Sequence, residues 1–153
     1  TVEPFISDDR RGAFIWCRGS NPGSSDLQDL TVESNSNQML IYEIMAQYAE
    51  NWNVKNNLGL VVGATVTQQL KSVRELCPEQ VILIPGVGAQ GGDLSTSVLY
   101  GVDDRGRLAI INSSRGIIYA SQKSDFAQAA RIAASKIKEN INSVLETSGK
   151  GWT

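Results

Sequence analysis

The fold of this chain is decided by the stretch Ile84-Pro85-Gly86-Val87-Gly88-Ala89-Gln90-Gly91-Gly92-Asp93. An apolar run at positions 81–84 leads into it and predicts a buried strand, and a helix is predicted to begin near Asp93. Glycines let the backbone approach a ligand closely, and a helix N-terminus presents N–H groups and a positive dipole end. This strand–loop–helix junction therefore predicts a site for an anion, most often a phosphate.

A second junction of the same kind follows along the chain. The apolar run at positions 108–111 leads through Asn112 into Ser113-Ser114-Arg115-Gly116. Two adjacent loops at strand ends, with glycines and one arginine between them, predict that a phosphate is gripped from two sides.

The rest of the chain alternates between the same two kinds of element. Strands that are continuously apolar, each followed by a helix, are typical of a parallel sheet covered on its outer face. The pattern predicts strands at 13–17, 59–63, 81–84 and 108–111, and helices at 37–52, from a cap at 64–65 to 76, from 93, and at 125–145. These elements make four βα units, with the first and last strands at the two edges of the sheet.

Composition narrows the class of protein. With 153 residues and 41% hydrophobic content, one domain with one core is expected. A net charge of -2 lacks the excess of positive charge that is typical of nucleic-acid-binding proteins. No apolar run approaches the roughly 20 residues of a membrane helix. The chain does not begin with Met, and we interpret it as a segment of a longer cytoplasmic protein.

The available chemistry is limited by residue type. Histidine is absent, which excludes Ser-His-Asp and Cys-His catalysis and histidine-ligated zinc. Cys17 lies in an apolar strand and Cys77 precedes Pro78, and neither has metal-ligand spacing, so two free, packed thiols are predicted. We therefore expect no metal ion.

Three phosphate-binding architectures fit a glycine-rich loop. The glycines at 86, 88 and 91 match G-x-G-x-x-G, but the acidic residues at the expected distance, Asp103 and Asp104, fall in a turn, which disfavours a dinucleotide fold. No G-K-[ST] follows, so a P-loop is disfavoured too. A (β/α)8 barrel holds phosphate with the loops after its last two strands. That arrangement fits if this chain is the second half of a barrel, which typically needs about 250 residues.

Four blocks of sequence resemble one known family, orotidine 5'-monophosphate decarboxylase, in its second, bacterial subfamily. The blocks follow its strand–loop order from residue 1 to about residue 145. They are Phe14-Ile15-Trp16-Cys17-Arg18-Gly19-Ser20-Asn21-Pro22-Gly23, Leu58-Gly59-Leu60-Val61-Val62-Gly63-Ala64-Thr65, the stretch at 84–93, and Ile111-Asn112-Ser113-Ser114-Arg115-Gly116-Ile117-Ile118-Tyr119-Ala120. Thr1-Val2-Glu3-Pro4-Phe5 resembles the helix start after the family's fourth strand.

The resemblance implies a (β/α)8 barrel that converts orotidine 5'-monophosphate to uridine 5'-monophosphate as a dimer, without metal or organic cofactor. It implies that Ser20 binds the pyrimidine edge, that Gln90 bridges phosphate and base, and that Arg115 holds the phosphate together with backbone N–H groups at Ser114. The segment Pro85-Gly86-Val87 would form the wall under the base. The remaining phosphate contacts implied by the matching loops are Gly88, Gly91 and Gly116.

Two departures from the family are visible. Gly19 stands where the family usually has threonine, which is expected to loosen the loop that carries Ser20. The family's chemistry also rests on a Lys-Asp-Lys-Asp array that includes an Asp-x-Lys-x-x-Asp motif. No lysine of this chain has aspartate two positions before it. We therefore expect no catalytic residue here, and the array would belong to the N-terminal half of the barrel.

The sequence is thus interpreted as the C-terminal half of a decarboxylase barrel at residues 1–147, followed by a flexible tail at 148–153. Its expected ligand is a pyrimidine nucleoside monophosphate, and its expected partner is a second copy of the chain or the N-terminal half-barrel. Two alternatives stay open. One is a non-catalytic half-barrel that binds nucleoside monophosphates, and the other is a different phosphate-binding barrel enzyme.

Overall fold

The computed structural model describes residues 2–34, 37–88 and 91–152. The strands are β1 (Ala13–Arg18), β2 (Thr31–Ser34), β3 (Asn37–Leu40), β4 (Leu58–Val62), β5 (Ile82–Pro85) and β6 (Ala109–Asn112). The helices are α1 (Glu3–Ile6), α2 (Ser25–Gln28), α3 (Ile41–Trp52), α4 (Thr67–Leu76), α5 (Leu94–Gly101), α6 (Arg115–Ile118) and α7 (Phe126–Thr147), and a 3₁₀ turn spans Pro22–Ser24. Within the described ranges, no helix is both long and apolar enough to cross a membrane.

Four strands form one parallel sheet in the order β1-β4-β5-β6. Each successive strand joins on the same side of the previous one, with a helix in the connection, as in a barrel. A doubly wound sheet would instead reverse its direction of growth at a switch point. The four predicted βα units and the two predicted edge strands, β1 and β6, are therefore confirmed.

The two faces of the sheet differ in burial. Residues on the helix-covered face, such as Leu60, Ile82 and Ile84, are fully buried and form the core with α3 and α4. On the opposite face, Trp16 of β1 lies beside Val61 of β4, and Ile110 occupies the corresponding position on β6. Trp16 is 57% exposed and Ile110 is 46% exposed. This inner face is apolar and is partly exposed on the edge strands β1 and β6, whereas Val61 of the central strand β4 is only 8% exposed.

The predicted helix at 37–52 begins four residues late. Residues 37–40 form β3, which pairs with β2 in an antiparallel hairpin that the sequence analysis missed. The helix begins at Ile41 because the Glu43 carboxylate reaches back and accepts the Leu40 N–H at 2.9 Å. The predicted cap at 64–65 was also wrong, since α4 begins at Thr67. The Ala64 N–H instead donates to the Pro85 carbonyl at 2.8 Å, which ties residue 64 to the end of β5.

At the amino end of the strands, the buried side chain of Arg74 on α4 donates hydrogen bonds to five backbone carbonyls. They belong to Cys77, Pro78, Gln80, Gly101 and Leu108, at 2.6–3.1 Å. Burial lowers the pKa of this guanidinium, and the nearby Asp103 carboxylate opposes that effect. One side chain thereby joins the end of α4, the loop before β5, the end of α5 and the start of β6.

One of these carbonyls belongs to a strained residue. Leu108 has a φ of 65°, in the left-handed region that costs a non-glycine residue about 1–2 kcal/mol. Its carbonyl accepts from Arg74 Nη2 at 3.0 Å and from the Ile82 N–H at 2.9 Å. The strained turn is thus held at the point where β6 enters the sheet.

Cys17 and Cys77 are free and buried, as predicted. Each Sγ lies 3.3 Å from a carbonyl oxygen of α3, that of Tyr42 for Cys17 and that of Ala46 for Cys77. Burial raises the pKa of both thiols to about 12, so both stay protonated at neutral pH. They pack as small apolar side chains.

After α7, the chain returns to the turn between α5 and β6. Lys150 Nζ donates to the Asp103 carbonyl at 3.0 Å, and Trp152 Nε1 donates to the Gly106 carbonyl at 3.1 Å. Gly106 has a φ of 71°, and a Cβ there would lie 2.3 Å from the Lys150 carbonyl oxygen. The division into a half-barrel at 1–147 and a flexible tail at 148–153 stays a prediction.

We predict that Arg74→Met lowers the free energy of unfolding by at least about 3 kcal/mol, because several buried carbonyls lose their donor. Urea unfolding measures this as a lower midpoint. Lys71→Met, one turn earlier on α4, is the control. Its ion pair with Glu75 is exposed, so a change within about 0.5 kcal/mol is expected. Equal midpoints for the two variants would contradict the role given to Arg74.

Candidate functional site

The carboxyl ends of the four parallel strands meet at one edge of the sheet, and the loops that follow them carry the predicted site residues. Ser20 follows β1, Gly86-Val87-Gly88 follow β5, and Ser114-Arg115-Gly116 follow β6. Gln90 lies outside the described residues. Ligands of parallel α/β folds bind at this edge.

A pocket of about 160 Å³ lies between the ends of β5 and β6. It is lined by Pro85, Gly86, Val87, Asn112, Ser113, Ser114 and Arg115. The structure therefore brings together the two loops that were predicted to act on one ligand. At about 30 Å³ per water molecule, the pocket holds roughly five waters, whereas pockets for whole organic ligands start near 300 Å³. It has room for a phosphate group and its immediate neighbours, so the rest of a nucleotide would extend beyond it.

Arg115 borders this pocket at the start of α6 and is exposed. Within residues 2–34, 37–88 and 91–152, its guanidinium makes neither an ion pair nor a hydrogen bond. Arg18 and Arg107, in contrast, are both paired with aspartate. A surface ion pair does not account for Arg115 in the described part of the chain, and its planar fork of donors is available to an anion.

Asn112 is a pocket residue that sequence reasoning missed. It is the last residue of β6, paired in register with Pro85 of β5 on the inner face of the sheet. Its Oδ1 accepts a hydrogen bond from the Ser114 hydroxyl at 3.1 Å. The signal was its position at the carboxyl end of a barrel strand, where polar side chains commonly contact the ligand.

The glycine-rich loop does not present its glycine N–H groups as the sequence suggested. Gly88 and Gly91 have φ values of 77° and 83°, and a Cβ on either would meet no atom within 4 Å. However, the Gly88 N–H donates to the Gly92 carbonyl at 3.2 Å, and the Gly91 N–H donates to the Gly88 carbonyl at 2.9 Å. The N–H groups of Gly88 and Gly91 are therefore engaged within the loop, and the absence of side chains at both residues keeps the approach open. Phosphate contact by these glycines stays a prediction.

The N-terminus of α5 is also occupied. The Asp93 carboxylate accepts the Thr96 N–H at 2.6 Å and so caps the helix. Hydrogen bonds from the Thr96 side chain and backbone hold the pKa of Asp93 below its usual range. The helix was predicted to begin near Asp93, and it does. In its first turn, the Thr96 N–H is taken by the chain's own carboxylate, and Arg115 is the cationic side chain among the residues that line the pocket.

Ser20 lies on another loop, outside the pocket between β5 and β6. The loop packs directly on the end of β4, where a Cβ added to Gly63 would lie 2.5 Å from Ser20 Cβ and 2.8 Å from Ser20 N. The Thr65 hydroxyl lies 3.5 Å from the Ser20 carbonyl oxygen. Gly63 thus allows the loops after β1 and β4 to interlock.

The loosening expected at Gly19 is not seen. Gly19 is buried, its N–H donates to Gln28 Oε1 at 2.8 Å, and its carbonyl accepts from Arg18 Nη1 at 2.6 Å. A Cβ at this position would lie 2.7 Å from Asn21 Oδ1 and 3.1 Å from the Trp16 ring. Glycine here allows close packing of the loop.

No group of three or more Cys, Asp or Glu residues in the described ranges is arranged to hold a metal ion. The polar character of the site comes from hydroxyls, amides, backbone and Arg115.

Comparison with known proteins gives consistent matches. A sequence model of the orotidine 5'-phosphate decarboxylase / HUMPS family matches residues 1–131. The orotidine 5'-phosphate decarboxylase of Dehalococcoides mccartyi is 46% identical over 142 residues, which cover 93% of this chain and 53% of that protein. The corresponding protein of Halorubrum lacusprofundi is 44% identical, with 93% of this chain and 54% of that protein covered. The chain spans about half the length of the curated relatives it matches.

Solved structures agree with these matches. The UMP synthase of Leishmania donovani superposes with a TM-score of 0.75 at 39% identity, covering 90% of this chain and 29% of that one. The OMP decarboxylase of the same organism superposes with a TM-score of 0.74 at 35% identity, covering 92% and 52%. The relatives are TIM barrels, and the parallel strand–helix units of this chain correspond to part of that barrel.

We predict that Gly63→Ala lowers the free energy of unfolding by about 1–3 kcal/mol, because the new methyl group overlaps the backbone of Ser20. Gly23→Ala in the same loop is the control. A Cβ there would meet only Asp26 Oδ2, at 3.6 Å, so a change within about 0.5 kcal/mol is expected. Urea unfolding and the NMR chemical shifts of Ser20 measure the two effects. Unshifted Ser20 resonances in Gly63→Ala would show that the loops do not interlock.

Proposed function

The chain belongs to the orotidine 5'-phosphate decarboxylase / HUMPS family, and we propose that it is the phosphate- and base-binding part of an orotidine 5'-monophosphate decarboxylase. That enzyme would release CO₂ from orotidine 5'-monophosphate to give uridine 5'-monophosphate, a reaction of de novo pyrimidine biosynthesis, in the cytoplasm. One observation carries the proposal. Arg115, which has no ion-pair partner among the residues that the structure describes, borders a phosphate-sized pocket between the carboxyl ends of two adjacent barrel strands.

The proposed roles divide among three loops, those after β1, β5 and β6. Arg115 holds the phosphate with a charge-assisted, forked hydrogen bond, and the backbone and hydroxyl at Ser114 assist it. The segment Pro85-Gly86-Val87 forms the opposite wall of the pocket. Gly88, Gly91 and Gly116 keep the approach to the phosphate free of side-chain bulk. Ser20 contacts the pyrimidine edge from the loop after β1, and Gln90 is proposed to bridge base and phosphate.

The reacting centre requires groups that this sequence does not contain. In the family, a lysine protonates the carbon that loses its carboxylate, and an aspartate disfavours the bound carboxylate in the ground state. The chain has no Asp-x-Lys-x-x-Asp motif. Binding of the remote phosphate can still contribute to catalysis, because such binding energy can be used to stabilise the transition state. We propose that this chain supplies that binding and that another part of the barrel supplies the Lys-Asp array.

A second candidate is a half-barrel that binds nucleoside monophosphates without catalysis. The missing Asp-x-Lys-x-x-Asp motif favours it for the isolated chain. The two candidates predict the same binding of uridine 5'-monophosphate and differ only in turnover by a complete barrel. A different phosphate-binding barrel enzyme would bind ribose 5-phosphate as well as the nucleotide.

We predict that Arg115→Ala weakens binding of uridine 5'-monophosphate by about 1.5–3 kcal/mol, the usual cost of losing a hydrogen bond to a charged group. Titration calorimetry or NMR measures the dissociation constant. Uridine, which has no phosphate, should bind equally to variant and parent. Arg115→Lys should recover only part of the loss, since a point charge lacks the planar fork.

Arg131→Ala is the matched control for this experiment, because Arg131 is another exposed arginine but lies on α7 away from the pocket. It should leave the dissociation constant unchanged. If Arg115→Ala weakened uridine as much as its monophosphate, Arg115 would not be the phosphate ligand. If no binding of the monophosphate by the parent chain were measurable, the proposed function itself would fail.

The uncovered inner face leads to a prediction about assembly. The sheet leaves β1 and β6 as bare edges and exposes Phe14, Trp16 and Ile110. We predict that the isolated chain sediments as a dimer or larger species and has no decarboxylase activity. Trp16→Lys, on the inner face, should weaken association. Val54→Lys should not, because Val54 is 85% exposed in the loop after α3. A stable monomer, or turnover by the isolated chain, would refute this assignment.

A further inference from the structure

Arg18 ends β1 and directs its side chain into the loop that carries Ser20. The pairing of β1 with β4 is regular from Ala13 to Trp16 and then shifts, so that Arg18 instead of Cys17 pairs with Val62. A bulge of this kind re-aims the side chains that follow it. Trp16 remains exposed on the inner face, whereas Arg18 is only 4% exposed. The bulge thus coincides with a cation that is buried behind the loop.

The buried guanidinium has one carboxylate partner. Arg18 Nε donates to Asp29 Oδ1 at 2.8 Å, and Arg18 Nη2 donates to Asp29 Oδ2 at 2.7 Å. This is the two-pronged geometry in which arginine binds a carboxylate most strongly. Asp29 immediately follows α2, so the pair fixes the far end of the Ser20 loop to the end of β1.

The remaining donor of Arg18 reaches the loop itself. Arg18 Nη1 donates to the Gly19 carbonyl at 2.6 Å and also to the Ser24 hydroxyl. The Ser24 hydroxyl donates in turn to the Asn21 carbonyl at 2.6 Å. On the other side, the Gly19 N–H donates to Gln28 Oε1 at 2.8 Å. Gly19 and Asn21, the residues directly before and after Ser20, are therefore both hydrogen-bonded to one polar cluster around the buried guanidinium. Its members are Arg18, Ser24, Gln28 and Asp29.

Ser20 itself is half-buried above this cluster, against Gly63. A short hydroxyl can read a ligand edge only if its backbone is held in place, because the side chain has a single rotatable bond to adjust with. The hydrogen bonds from this cluster to Gly19 and Asn21 provide that constraint on both sides of Ser20.

We infer that Arg18 and Asp29 are positioning residues, which hold the Ser20 loop in the conformation that presents the Ser20 hydroxyl to the pyrimidine ring. The role toward the pyrimidine rests on the proposed function, whereas the ordering of the loop does not. Both act through the backbone of residues 19 and 21.

Amide hydrogen exchange tests the ordering of the loop without any ligand. The variants are Arg18→Met, Arg18→Lys and Asp29→Asn. Exchange at Gly19 and Ser24, whose N–H groups donate within the loop, is divided by exchange at Leu60 in the buried strand β4. We expect the ratio to rise at least tenfold in Arg18→Met and Asp29→Asn. It should rise less in Arg18→Lys, which can keep the contact with Asp29. The double variant, Arg18→Met with Asp29→Asn, should show nearly the same exchange ratio as Arg18→Met alone, because the two residues act as one unit.

Arg10→Met is the matched control, since Arg10 is also paired with aspartate but at the surface, with 83% of its side chain exposed. Its ratio should equal that of the parent. If exchange in the loop rose only in step with exchange at Leu60, Arg18 would merely stabilise the whole fold and the inference would be overturned. Because Arg18→Lys and Asp29→Asn are conservative, the comparison survives if Arg18→Met does not fold.

Ligand binding tests the second half of the inference. Arg18→Lys and Asp29→Asn should reduce the preference for uridine 5'-monophosphate over ribose 5-phosphate at least fivefold, while ribose 5-phosphate binds as it does to the parent. Ser20→Ala should reduce the same preference. Equal loss for both ligands would overturn the positioning role toward the base. A parent chain without any preference for the nucleotide would refute base recognition by Ser20, and hydrogen exchange would still decide the ordering of the loop.

Discussion

The architecture depends on how the buried backbone carbonyl groups at the amino end of the parallel sheet find hydrogen-bond donors. In this chain, most of those donors belong to one cation, Arg74. Each crossover in a parallel sheet returns the chain beneath the strands, where the carbonyl groups of the connecting turns are shielded from water. Arg74 supplies donors to five of these carbonyls, three between α4 and β5 and two in the connection from α5 to β6. Two amides extend the arrangement. Gln80 donates to the Leu58 carbonyl at 3.1 Å, and Asn57 donates to three carbonyls before β1.

Because the amino end is fixed by side chains, the carboxyl end can be built from loops that touch through glycine. Gly63 accepts the close approach of Ser20, and Gly92 accepts that of Ala64, whose Cβ would lie 2.5 Å from a Cβ added to Gly92. The two ligand loops nevertheless differ in character. The loop after β1 is held by the Arg18–Asp29 cluster, whereas Arg115 after β6 has no partner in the described ranges. The loop after β1, which is held in place and offers the neutral Ser20, suits the base, because bases are distinguished by shape. The charge of Arg115 suits the phosphate, because a cation attracts an anion.

The sequence predicted those parts of the structure that depend on local pattern. The four parallel strands, the helices α5 and α7 and the meeting of the β5 and β6 loops follow from apolar runs and junction chemistry. The hairpin of β2 and β3 was missed because no two-residue glycine turn marks it. The closed glycine loop and the roles of Arg18 and Arg74 were missed for a different reason. They depend on which carbonyl or carboxylate lies near a side chain after folding, and a single sequence carries no signal of that. The Asp93 cap could have been foreseen, since aspartate before a helix satisfies the amides that an anion would otherwise bind.

The inner face of the sheet links stability to the site. It combines apolar residues of β1 and β6 with Asn112, which also lines the pocket next to Arg115. Any surface that covers Phe14, Trp16 and Ile110 must therefore approach the proposed phosphate pocket. A partner surface that covers this face stabilises the sheet by burying apolar area. The same surface removes water from the pocket, and charge-assisted hydrogen bonds to a phosphate are stronger where water is excluded. Assembly and ligand binding should then be coupled, because each favours the same arrangement of the strand ends.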